Sequence, residues 1–337
     1  MSLNVAHRLK HHERAYHFHD FTGDFGLRLS FRFLLIYLFS FSGLAWGATL
    51  DSGLVTMDIT GTSPSDIDWP GNVDNVFSSS ARLAVTQGGS STFASVSSSL
   101  SNSEFLEPAG SSTEQYSGTF TTSVTHSFSG TMTARAYGSE YGILQNAVVL
   151  IYTYTNTGTS TLDSVYPGLY FDLDVGPTTT NASASDETRD LFYQFDNNNP
   201  PVIMGMRVLS GQVHSAHFRP LGDSVFSSAS HLTDGVQTTT GEFTDQGCSI
   251  SQRYTNVAPG QTIVFAVGIF FGSTLTDLQA VSDAASNIAV GAGGAGGASG
   301  GAGFGGATGG QPKIPTYGGS SYTLPSSGGG GGCLLKP

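Results

Sequence analysis

From residue 50 to residue 271, apolar and polar positions alternate repeatedly with a period of two, the spacing of strands that turn one face to a core. In 147–155 (AVVLIYTYT), Val148, Leu150, Tyr152 and Tyr154 share one face, and Val149, Ile151, Thr153 and Thr155 share the other. Both faces are apolar near its start, which predicts a central strand of a covered sheet. Asn156-Thr157-Gly158 ends it as a turn. In 168–175 (GLYFDLDV), Leu169, Phe171, Leu173 and Val175 point one way and Tyr170, Asp172 and Asp174 the other, a half-buried strand with an acidic outer face. Further strands are expected at 54–59, 82–86, 118–125, 131–137, 191–195, 202–209 and 249–254. The turn Ala258-Pro259-Gly260 joins 252–256 to 261–269, with Pro presetting φ and Gly taking the positive one. Many short strands separated by turns predict an all-β fold, an antiparallel β-sandwich. One short helix is expected over 274–287, where Leu275, Leu278, Val281 and Ala285 recur at helical spacing and Asp277 faces the positive end of the dipole. No internal repeat of solenoid or propeller length is present.

The two ends depart from this pattern. Residues 33–44 are uncharged and apolar, preceded by Arg8, Lys10, Arg14, Arg28 and Arg32. The run is shorter than the roughly 20 residues of a membrane span, and Ala45 and Gly47 fit the small-any-small pattern of a signal-peptidase site. Residues 1–47 are therefore read as an export signal cut between Gly47 and Ala48, the competing reading being a retained membrane anchor. After residue 290 the composition collapses to "GAGGAGGASGGAGFGGATGG". Such a tract cannot bury a core and behaves as a flexible tether. The expected organisation is thus a signal at 1–47, a β domain at 48–290, a tether at 291–332 and a Cys-containing remnant at 333–337.

Charge narrows the function. The whole chain carries 13 Lys/Arg and 25 Asp/Glu; loss of the signal removes five and three of these, leaving 8 and 22. No Lys occurs between Ala48 and Pro312. So acidic a surface repels phosphate backbones, and no nucleic-acid partner is expected. Two cysteines, Cys248 and Cys333, make no disulfide framework. Cys248 reads most simply as a small buried apolar side chain, and its pairing with Cys333 would tie a folded domain to a loose tail.

The motifs that could carry chemistry are sparse. Residues 291–296 satisfy GxGxxG and 297–301 satisfy GxSxG, but neither lies between a strand and a helix, as both mechanisms require. His214 and His217 are the one close histidine pair of the mature chain; without the glutamate of an HExxH site they read as polar surface residues. A Ser-His-Asp triad has histidines available but no serine in a nucleophile elbow. Asp172 and Asp174 emerge side by side from one strand face, with Asp186, Glu187, Asp190 and Asp196 in the next segment. Asp172, Asp174, Asp186 and Asp190 are candidate ligands for calcium, a cation that takes six to eight hard oxygens. The competing reading, a solvated acidic face, is the simpler because the calcium-loop spacing is missing. No motif calls for any other cofactor.

The unit "VVLIYTYTNTGTSTLDSVYPGLYFDLDVG" (148–176) resembles a segment of secreted bacterial all-β surface domains, in which a Y-x-x-x-N strand precedes one ending in G-L/I-x-x-D-x-D. "NVAPGQTIVFAVGIFFGSTLTDLQAVSDAA" (256–285) is similar to the end of the same type of domain. Such domains also occur beside subtilisin-like proteases, and the resemblance implies a noncatalytic extracellular β domain. The terminus "GGGGGCLLKP" resembles the Gly-Gly-Cys start of bacterial C-terminal sorting signals of the JDVT type, although no apolar helix or basic end follows. That resemblance implies processing and anchoring at Gly332 and Cys333 by the envelope sorting machinery. The expectation from sequence is a noncatalytic exported protein of the cell surface, outer membrane or extracellular space. Its role would be structural, adhesive or binding, its partner an extracellular protein or polysaccharide, and its membrane contact only through an anchor. The alternative is a secreted hydrolase or protease-accessory domain without a catalytic motif.

Overall fold

The computed structural model describes residues 47–288, except 70–74, 77, 97–98, 107–113, 124 and 177–179. The segment 1–46, the tether, Gly332 and Cys333 lie outside the described residues. In chain order the strands are β1 (Ala48–Asp51), β2 (Thr56–Thr60), β3 (Ser63–Asp68), β4 (Ser78–Gln87), β5 (Ser90–Ser95), β6 (Ser101–Leu106), β7 (Glu114–Ser123), β8 (Ser127–Ala136) and β9 (Ala147–Asn156). They continue as β10 (Leu162–Leu173), β11 (Ala182–Asp186), β12 (Leu191–Phe195), β13 (Ile203–Val208), β14 (Ser215–Pro220), β15 (Gln237–Thr238), β16 (Gln246–Ser251), β17 (Tyr254–Val257) and β18 (Thr262–Gly272). Two short 3₁₀ segments, Ser139–Asn146 and Ser224–Ser227, accompany α1 (Ser230–Thr233) and α2 (Leu275–Ala285).

The strands form an antiparallel β-sandwich, as the alternation predicts. An eight-stranded sheet runs β11-β12-β13-β18-β9-β8-β7-β6, and a seven-stranded sheet runs β15-β14-β16-β10-β4-β5 with β17 also on β10. A third sheet, β1-β2-β3, adds Leu50, Met57 and Ile59 to the same core. Among the described pairings only β14 with β15 is parallel.

Strand β9 is the central strand its two apolar faces predict. Val148, Leu150, Tyr152 and Tyr154 enter the main core, while Val149 and Ile151 join Tyr137 and Ala266 on the opposite face. The outer face of the eight-stranded sheet is also covered by α2, whose Leu278, Val281 and Ala285 pack on Phe270, Leu191 and Ile203. That helix starts where expected: the Thr274 hydroxyl caps it by accepting from Asp277 N–H at 3.1 Å. Each fully buried Leu or Phe contributes about 1.5–3 kcal/mol, whereas an exposed ion pair contributes about 1 or less. The core therefore outweighs surface pairs such as Arg189 with Asp283.

The turns are where the sequence marks them, but they do something the alternation does not reveal. β9 and β10 are consecutive in the chain and lie in different sheets, as do β17 and β18. Both turns are crossings from one sheet to the other, and both are fastened by Asn156. Its buried side chain donates to Ser160 O at 3.0 Å and Val257 O at 3.1 Å and accepts from Gly158 N–H at 2.9 Å. Its backbone N–H reaches Gln261 O, and its carbonyl accepts from Gly260 N–H.

Truncating Asn156 unpairs the buried Val257 carbonyl and two part-buried turn groups, Ser160 O and Gly158 N–H; an enclosed unpaired group costs about 1–3 kcal/mol. Asn156→Ala in the full chain is expected to lower stability by about 3 kcal/mol, a fall in melting temperature of roughly 6–12 °C for a domain of this size. Thermal unfolding followed by circular dichroism checks this; a shift under about 2 °C would refute the role given to Asn156.

Candidate functional site

The two sheets differ in what covers their outer faces. That of the eight-stranded sheet is apolar under α2; that of the seven-stranded sheet is largely polar and lies under the 3₁₀ turn Ser224–Ser227 and α1. The register across this second face places Ser78, Asp172, Gly247 and Arg219 in one row. The next row is Ser80, Tyr170, Ser249, His217 and Thr238. The same alternation that sends Leu169, Phe171 and Leu173 into the core lines up these groups on the other side.

The covering segment fits closely. At Gly168 a Cβ would stand 2.5 Å from Leu232 of α1 and 2.8 Å from Ile250 O, so glycine is what lets the helix lie on β10. Ser251 and Ser249 donate to the carbonyls of Leu232 and His231, at 2.8 and 3.4 Å. At the centre, Arg82 lies 4.1 Å over the Tyr170 ring and donates to Phe226 O at 2.9 Å and to His231 Nε2 at 3.0 Å. His231 Nδ1 therefore carries the proton, donated to Ser228 O. Burial, with Arg82 beside it, pushes His231 down to about 4, so it stays neutral.

Beside Tyr170 the face becomes acidic. Asp172 is only 9% exposed, and burial, then Asp245 and Asp174, push its carboxyl up to about 6. Oδ1 of Asp245 is enclosed and has no hydrogen-bond partner among the described residues. Burial and Asp172 raise the Tyr170 phenol to about 12, leaving it a proton donor. Gly247 lets Tyr170 and Phe226 close over it: a Cβ there would meet the Tyr170 hydroxyl at 3.0 Å and the Phe226 ring at 3.2 Å.

A second polar cluster sits on β14. His217 is 1% exposed, with Nε2 3.1 Å from Asp234 Oδ1 and Nδ1 3.2 Å from Thr238 Oγ1. Asp234 Oδ1 also accepts from Ser215 Oγ at 3.2 Å and Val236 N–H at 2.9 Å. Burial pushes the Asp234 carboxyl up, but these bonds outweigh it and hold it below the ordinary range. Arg219 Nε donates to Thr238 Oγ1 at 3.2 Å, and its Nη1 to Asp223 at 3.2 Å.

Against these positions the sequence expectations divide. Asp172 and Asp174 do share an outer face, but Asp172 is enclosed rather than solvated. Asp186 and Asp190 are not brought to them: they flank the β11–β12 turn in the other sheet, where Asp186 pairs with Arg189 at 2.9 Å. Among the described residues no group of three or more His, Cys, Asp or Glu is arranged to hold a metal ion. His217 is buried and paired, which corrects its reading as a surface residue, while His214 is half-buried against Tyr166. Cys248 is a fully buried free thiol of the main core. Gly47 is exposed, and Ala48 opens β1 with its side chain buried. Asp245, Arg82, Thr238 and Asp234 were missed, since no local spacing marks them.

No family model and no curated protein matches the sequence. Solved structures with a similar course of chain include a candidate aldose 1-epimerase of Escherichia coli K12, at 9% identity and a TM-score of 0.39, covering 67% of this chain and 99% of that one. A galactose mutarotase related enzyme of Lactobacillus acidophilus matches at 8% identity and a TM-score of 0.35, covering 68% and 98%. A bacterial glucoamylase complexed with acarbose matches at 9% identity and a TM-score of 0.48; the match covers 72% of this chain and 34% of the glucoamylase. These are enzymes or enzyme-related chains, whereas the sequence led to a noncatalytic surface protein with no enzymatic activity; that expectation is corrected here. At such identities the likeness concerns the arrangement of strands. The chemistry must come from the side chains on the seven-stranded sheet.

The raised carboxyl of Asp172 has a consequence for stability. In the unfolded chain it titrates near 4, and in the folded one at about 6. The stability gained by keeping it neutral is complete below pH 4 and is lost as the pH rises through 6. Two units correspond to about 3 kcal/mol at most, less after screening by solvent. Asp172→Asn is therefore expected to gain about 1–2 kcal/mol on the parent between pH 4 and pH 8. Chemical denaturation at both pH values measures this, and a gap that narrows or stays constant with rising pH would contradict it.

Proposed function

We propose that this protein is an exported enzyme that moves a proton at the anomeric oxygen of a neutral carbohydrate, with Asp172 and Asp245 as its carboxyl pair. The observation that carries the reading is the pairing itself. Asp172, at about 6, exchanges a proton readily near neutrality, and the enclosed Oδ1 of Asp245 is an acceptor with no partner among the described residues. Opening or breaking a bond at an anomeric centre needs one group to give a proton and another to take one. Tyr170 offers a protonated phenol for a substrate hydroxyl, and Ser78 and Ser80 stand in the same rows. Arg82 is engaged by Tyr170, Phe226 and His231, and Arg219 by Asp223 and Thr238, so the face favours a neutral substrate over an anionic one. The proposal rests on these side chains and not on likeness of fold.

The full chain is assayed for mutarotation of aldoses by polarimetry and for reducing ends released from neutral polysaccharides. Activity in one of the two assays is expected, reduced about 10²-fold or more in both Asp172→Asn and Asp245→Asn. Neither activity in folded parent, or full activity in both variants, would reject the proposal.

Export belongs to the same reading and is supported by the place where β1 begins. Ala48 pairs with Ile59, so a cut after Gly47 takes no residue from the sheet. Cys333, next to Gly332, is proposed as the point where the chain is processed and anchored. Protein recovered from the envelope or medium of its native host should begin at Ala48; an N-terminal peptide retaining residues 33–46 would make that segment an anchor instead.

A further inference from the structure

We infer that Thr238, His217 and Asp234 form a second catalytic centre, in which the Thr238 hydroxyl is the nucleophile for hydrolysis of a short-chain acyl ester. The inference is independent of the carboxyl pair and rests on the direction of every bond in the cluster. An ionised Asp234 can only accept, so His217 Nε2 carries the proton shared at 3.1 Å. In the neutral imidazole Nδ1 is then the bare lone pair, and it faces Thr238 Oγ1 at 3.2 Å. Arg219 Nε can only donate and also faces Oγ1, at 3.2 Å, so the hydroxyl accepts from Arg219 and points its own proton at His217. This is the polarity of a nucleophile, base and orienting carboxylate.

The surroundings hold that polarity in place. Asp234 Oδ1 is fixed by Ser215 Oγ and Val236 N–H besides His217, and Ser215 Oγ in turn accepts from Gly235 N–H at 3.0 Å. His217 is shut off from water, while Thr238, registered directly opposite it on the edge strand β15, is partly exposed. The base is dry and the nucleophile reachable. A substrate must come to the edge of the sheet, which favours a small acyl group.

The reaction balances with water alone. The Thr238 proton moves to His217 Nδ1 as Oγ1 bonds to the ester carbonyl carbon and the carbonyl π pair moves onto oxygen, beside the Arg219 guanidinium. Collapse of the adduct breaks the bond to the alcohol oxygen, which leaves with the proton from Nδ1. Water then gives a proton to Nδ1 and adds to the acyl carbon; Oγ1 departs and recovers that proton, and the acid is released.

The full chain is treated with a fluorophosphonate probe and, separately, with p-nitrophenyl acetate. One probe per chain is expected on the peptide containing Thr238, with ester turnover that falls about 100-fold or more in Thr238→Val and His217→Gln and survives in Thr238→Ser. Melting curves establish that each variant is folded. Rescue by serine separates a nucleophile from a purely structural hydroxyl. Folded parent that takes no probe and turns over no faster than Thr238→Val would overturn the inference, as would labelling that persists in Thr238→Val.

Discussion

The sandwich depends on two crossings between its sheets, and one buried amide fastens both. A chain that leaves one sheet for the other must pair its backbone groups at the turn, and here the buried Asn156 ties turns whose tips, Thr159, Ser160, Pro259 and Gly260, are exposed back to the sandwich. Asn156 supplies two donors and an acceptor from its side chain while its own N–H and carbonyl bond the Gln261 and Gly260 backbone. Aspartate could not donate, and leucine of similar volume would leave three groups unpaired. With the crossings fixed, β9 and β10 present their apolar faces to each other across one core, as do β17 and β18.

Once both sheets face the same core, their outer faces decide what the protein can do. The eight-stranded sheet is apolar on both sides along β12, β13, β18 and the start of β9, where α2 covers part of its outer face, and is polar outside on β7 and β8. The seven-stranded sheet carries serines, histidines, aspartates and arginines outward, and its cover is a short irregular segment instead of a long helix. That segment seats Leu232 over Gly168 and takes hydrogen bonds from Ser249 and Ser251, so the polar rows beneath it are shielded. Low dielectric then sharpens every charge left there. His231 stays neutral, Asp172 gives up its proton late, and Asp234 stays ionised because three donors converge on one oxygen.

Two small residues have large effects on that face. Gly168 allows the cover to approach, and Gly247 leaves room between Asp172 and Arg219 for the Tyr170 hydroxyl and Phe226 ring. As built, the two clusters share one sheet face, one acting through carboxyl groups and the other through a hydroxyl and an imidazole.

The amino-acid sequence by itself marked the principal core strands, their inward and outward faces, and α2; β1, β3, β5, β6, β11 and α1 lie outside the strands and helix it marks. Alternation over 147–155 and 168–175, the turn residues after Thr155 and Val257, and the Leu275-Leu278-Val281-Ala285 spacing are local properties, read within a few residues of chain. They gave a sandwich, a two-faced central strand and one capped helix. What they could not give is which strands lie side by side. Asp172 meets Asp245, and His217 meets Thr238 and Asp234, only through the register of β10 with β16 and of β14 with β15. The same ignorance of register placed Asp186 and Asp190 with Asp172 on nearness in sequence, although a crossing between sheets intervenes. It also made Asp172 a solvated residue, because burial of an outward side chain depends on what covers the sheet. Alternation fixes the direction of a side chain; tertiary structure alone decides what it meets there, since that neighbour comes from a distant part of the chain.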